Sequence, residues 1–89
     1  MTTIRYATAA DTAALNRLAA LDSSVVPAAP QVVAIEDDAL VAALSTRDGA
    51  VIADPFTRTA DIVELLRRRA RQLDNGVRAR RLATLRLAH

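Results

Sequence analysis

The chain has 89 residues, so one domain with a small core is expected. It has no cysteine, which excludes disulfides and thiolate metal sites, and its single histidine is His89 at the end. The net charge of +2 hides a division: residues 1–66 hold four arginines against nine acids, net −5, while residues 67–89 hold eight arginines against Asp74 alone, net +7.

Only Tyr6 and Phe56 are aromatic, so Leu, Val, Ile and Ala must build the core. No apolar run approaches the ~18 residues of a membrane span. The first residues lack the basic and apolar regions of a signal peptide. A cytoplasmic protein without a membrane anchor is the expectation. Small side chains and short length leave little stability in reserve, and oligomerisation is one way such a chain gains it.

In chain order, residues 3–7 alternate apolar and polar and predict a first strand. Thr8 with Asp11 three residues on resembles a capping box. A helix is predicted over 9–21, with Ala14, Leu15, Leu18 and Leu21 as its buried stripe. Asp22-Ser23-Ser24 ends it, and Pro27 and Pro30 bracket a loop.

Residues 31–36 predict the second strand and 39–45 the third, joined at Asp37-Asp38 as an antiparallel hairpin. The third strand is apolar almost throughout, which predicts cover on both faces. Gly49 is placed to take positive φ in the next turn. Residues 50–53 predict the fourth strand. Pro55 has no N–H for a sheet ladder, so that strand ends near Asp54.

Thr57 or Thr59 then caps a last helix. Ile62, Leu66, Ala70 and Leu73 share its buried face, widened by Val63 and Leu65, and Arg67, Arg68 and Arg71 stay wet. Asn75-Gly76 is a stop signal. The expected organisation is a domain over 1–76 and an arginine-rich tail over 77–89. In the tail Leu85-Arg86-Leu87 alternates like a strand, while Leu82 and Leu85 fit a helix equally. The fold class is α+β, ordered β-α-β-β-β-α around an antiparallel meander.

The junction of the fourth strand and the last helix is the natural place for an anion, since a helix start offers free N–H groups and partial positive charge. Glu36 and Asp54, near strand ends, are the acids in a position to act as general bases, although turn or cap roles fit a single acid there better.

Three stretches carry a resemblance to a known family. They are Ile4-Arg5-Tyr6-Ala7-Thr8-Ala9-Ala10-Asp11 leading to Leu15, Leu18 and Ala19; the hairpin from Val33 to Leu44; and Val51-Ile52-Ala53-Asp54-Pro55-Phe56. With their order they resemble the N-terminal half of the GNAT family of N-acetyltransferases, over residues 3 to about 73. The resemblance implies a truncated GNAT-like fold with acetyl-coenzyme A as the family cofactor. It puts the pyrophosphate loop at 57–62, where Thr57 stands for the family's Arg or Gln, Ala60 for its first Gly and Ile62 for its second. The implied cofactor-binding residues are therefore Arg58, Thr59, Ala60, Asp61 and Ile62, in a degenerate loop. Gly is also usual where Ala42 or Ala43 stands. The resemblance implies no catalytic residue in this chain, because the family's general acid lies in the half that is not matched.

The leading expectation is a non-catalytic GNAT-like protein, with no cofactor, that acts through a homodimer or protein partners. The alternatives are an acetyl-coenzyme A-dependent N-acetyltransferase completed by oligomerisation, and a nucleic-acid-binding module. The last would use Arg67, Arg68, Arg69, Arg71, Arg78, Arg80, Arg81 and Arg86, since arginine suits phosphate. No metal site is expected.

Overall fold

The computed structural model describes the backbone of residues 1–87 and the side chains of residues 1–73. Four strands form one antiparallel sheet in the order β1-β2-β3-β4. They are β1 (Thr2–Tyr6), β2 (Gln31–Glu36), β3 (Ala39–Ser45) and β4 (Val51–Ala53). A 3-10 turn (Ala9–Asp11) leads into α1 (Thr12–Leu21), and α2 (Ala60–Leu87) follows β4. The fold is α+β, with one helix on each face of the sheet.

Strand alternation divides the core in two. Val32, Ala34, Val41, Ala42 and Leu44 pack with Leu66 and Ala70 of α2. Val33, Ala43 and Ile52 pack with Leu15, Leu18 and Ala19 of α1. The apolar run of β3 is thus explained, since Val41 to Ser45 are all buried between two layers.

Asp37 and Asp38 both take positive φ, 51° and 65°, which matches the two-residue turn that suits strand twist. One bulge interrupts the β2–β3 ladder. Ala34 faces Ala42 and Ile35 faces Leu40, so Val41 is the extra residue. Val41 and Ala42 therefore pack on the same side. The Val41 carbonyl oxygen accepts the Asp54 N–H at 2.8 Å and holds the end of β4 in place.

Thr8 and Asp11 form the expected cap: the Asp11 carboxylate accepts the Thr8 N–H at 2.7 Å. The first helix differs in detail. Its first turn is 3-10, Ala19 is buried, and Leu21 is 43% exposed. Leu21 sits in the last turn, beside the C-cap Asp22, whose carboxylate accepts the Ala53 N–H of β4 at 3.2 Å. In α2, Leu65 is likewise 44% exposed and does not widen the buried face, because the sheet meets the side defined by Ile62, Leu66 and Ala70.

The larger difference is the length of α2. Asn75-Gly76 does not end it; the helix runs on to Leu87, and Leu85-Arg86-Leu87 belongs to it. A glycine costs about 1 kcal/mol in a helix, and stops one only when the following chain turns away. Here Arg, Ala and Leu follow, all good helix formers. The helix has 28 residues and is about 42 Å long. The molecule is accordingly 52 Å in one direction and 22 and 21 Å in the others. His89 lies outside the described residues. Among the described residues no helix is long and apolar enough to cross a membrane.

Candidate functional site

The junction between β4 and α2 is built around Asp54. Its Oδ1 accepts the Phe56 N–H at 2.8 Å, and its Oδ2 accepts the Thr57 hydroxyl at 3.1 Å. These bonds make Asp54 a turn residue, with both carboxylate oxygens engaged. Thr57 therefore does not cap α2. The helix starts one residue after Thr59, whose carbonyl oxygen accepts the Val63 N–H at 2.7 Å.

Of the implied cofactor residues, Arg58, Ala60 and Asp61 are exposed and Thr59 and Ile62 are half-buried. All five are consecutive across the helix start. Asp61 lies in the first turn, where a carboxylate balances the helix dipole and repels an incoming anion. Ile62 packs against the sheet core beside Leu66. Phe56 stands out into solvent, 84% exposed.

Glu36 sits at the end of β2. Its carboxylate accepts the Thr2 hydroxyl, and that bond holds it below its ordinary pKa. A base so stabilised as the anion is a poor proton acceptor at neutral pH. Among the described residues no group of three or more His, Asp or Glu is placed to hold a metal ion.

The arginines of α2 fall on two sides of the helix. Arg67 and Arg71, one turn apart, line a hollow of about 250 Å³ together with Leu44, Ser45, Thr46, Gly49 and Ala70. Arg68 and Arg69 line another, of about 320 Å³, with Thr2, Ile4, Leu65 and Gln72. All four arginines are exposed. None forms an ion pair among the described residues. The side chains of Arg78, Arg80, Arg81 and Arg86 lie outside the described residues.

The sequence places Arg67 and Arg71 on a wet face but does not show that this face meets the turn after β3. Their spacing of four residues was the one available signal, since it puts both on the same side of a helix. A third hollow, about 390 Å³, lies between α1 and the loop before β2, with Thr8, Asn16 and Gln31 among its lining residues. None of the three includes a residue of the 57–62 stretch.

No family model, curated protein or solved structure matches this chain.

Proposed function

We propose that the chain is a non-catalytic small protein, GNAT-like over its first 73 residues, that works by self-association. One observation carries the reading. The helix α2 has 28 residues, about 42 Å, while the molecule measures only 22 and 21 Å in the two directions across its 52 Å long axis. Most helical stability comes from tertiary packing, so a helix longer than its own body is wide gains from a second surface to lie on.

Charge selects that surface. The stretch from Arg67 onward carries net +7, and the rest of the chain carries net −5. Asp22, Asp37, Asp38, Asp48, Asp61 and Glu64 are exposed on the body. A second copy supplies an acidic surface for each basic helix, and a two-fold arrangement satisfies both helices at once. β1 and β4 are the end strands of the sheet, a liability in a monomer, with the Ala53 N–H of β4 already covered by Asp22. The GNAT-like part of the reading is supported by element order and by the strand–proline–helix junction at Asp54-Pro55.

The test is light scattering on the purified chain at micromolar concentration. The reading predicts a dimer. A stable monomer overturns it.

A second reading is an acetyl-coenzyme A-dependent N-acetyltransferase whose site is completed by oligomerisation. It is favoured by Ile62, which packs against the core and so does not lie across the first N–H groups of α2. Those groups have no intrahelical acceptor and would face the cofactor's phosphates together with Arg58. Asp61, in the same turn, opposes it. Calorimetric titration with acetyl-coenzyme A separates the two readings. Saturable binding favours the enzyme; no heat at millimolar ligand favours the non-catalytic protein.

A further inference from the structure

We propose that the hollow between the β3–β4 turn and α2 binds a small phosphate-bearing molecule, with Arg67 and Arg71 clamping the phosphate. The two arginines line the same hollow and are a helical turn apart. Neither is paired with a carboxylate among the described residues. Two cations facing one space repel each other, and an anion between them removes that cost. A phosphate monoester carries a charge of about −1.5 to −2 at pH 7 and three acceptor oxygens, which matches two planar, multidentate donors.

The opposite wall is rigid. Ser45 donates its N–H to the Ala50 carbonyl oxygen at 2.9 Å, and Gly49 donates to the Ser45 carbonyl oxygen at 3.0 Å. Thr46 donates both its N–H and its hydroxyl to the Pro30 carbonyl oxygen, at 2.9 and 3.1 Å. Asp48, the acid in this turn, has Oδ1 occupied by the Ala50 N–H at 2.9 Å. A wall so fixed loses little entropy when a ligand arrives.

Ser45 fixes the turn from within. It is fully buried, and its Oγ accepts N–H groups from Arg47 and Asp48 at 3.1 and 3.4 Å. Gly49 contributes bare backbone: a Cβ there would meet nothing within 4 Å. Leu44 and Ala70 provide an apolar floor. At about 250 Å³ the space is below the size of a drug-sized pocket and suits a phosphate with a few carbon atoms.

The experiment is calorimetric titration of the full chain with inorganic phosphate, methyl phosphate, acetate and a short single-stranded DNA, at low fixed salt. It is repeated on Arg67→Gln, Arg71→Gln and Arg69→Gln, each checked for folding by circular dichroism. Arg69 lies in the other hollow and serves as the control. Saturable binding of either phosphate probe is expected, weakened about ten-fold or more by Arg67→Gln and by Arg71→Gln. Arg69→Gln is expected to leave it within about two-fold. Methyl phosphate binding above inorganic phosphate marks an esterified ligand, and the reverse order marks the free ion; both support the site. Binding of DNA without binding of either phosphate overturns the proposal. So does acetate binding as well as phosphate, an equal loss in Arg69→Gln, or no binding at millimolar probe.

Discussion

Arg5 and Asp11 face each other as a two-pronged ion pair, Nη1 to Oδ2 at 2.7 Å and Nη2 to Oδ1 at 3.0 Å. The pair ties β1 to the start of the first helix. Asp11 is 8% exposed, and the same carboxylate caps that helix through the Thr8 N–H. Replacing Asp11 by Ala removes both roles and leaves the Thr8 N–H without its carboxylate partner. The expected cost is about 1–2 kcal/mol in urea unfolding, discounted because Arg5 is largely exposed.

The pair also sets an acid limit on stability. The Arg5 guanidinium, then the Thr8 N–H, hold the Asp11 carboxyl well below the usual carboxylate range. A depressed folded-state pKa contributes stability that is complete above the unfolded value, about 4, and is lost as pH falls through the folded value. Glu36 is depressed too, chiefly by the Thr2 hydroxyl, and acts in the same direction. The melting temperature is therefore expected to hold near neutral pH and to fall from about pH 5 downward. Asp11→Asn should flatten that fall, and its difference from the natural protein should shrink in acid.

Leu66 and Leu65 are neighbours on α2 with opposite surroundings, 0% and 44% exposed. Leu66→Ala opens a cavity between α2 and the sheet, at an expected cost of about 2–5 kcal/mol. In a domain this small that loss removes most of the folded population. Leu65→Ala is expected to change stability by no more than about 1 kcal/mol. Equal effects in chemical denaturation would contradict the packing described for α2.

Gly76 distinguishes a continuous α2 from a helix that stops. Inside a helix, Gly76→Ala gains about 1 kcal/mol and raises helicity in far-ultraviolet circular dichroism. At a left-handed C-terminal cap the same change would be destabilising. The continuous helix predicts the gain.

Much of the fold is legible in the residues. The hairpin at Asp37-Asp38, the turn at Gly49, the end of β4 before Pro55 and the Thr8–Asp11 cap each follow from one local preference, so short-range physics suffices. The length of α2 does not follow, because Asn75-Gly76 is read as a stop while its outcome depends on what comes after. The exposure of Leu21 and Leu65 depends on where the sheet ends beneath each helix, which periodicity does not encode. The hollow at Arg67 and Arg71 is of the same kind. Its two walls, Ser45–Gly49 and α2, are separated in sequence and are brought together by the packing of the sheet, Leu44 included, against α2.

Self-association is tested most directly by sedimentation equilibrium of the purified chain over a micromolar range, at low and at high salt. The 9.5 kDa chain is expected to sediment at twice its mass at low salt, and to dissociate toward its own mass as salt screens the acidic and basic surfaces. A 9.5 kDa species at every concentration and at low salt would contradict the account.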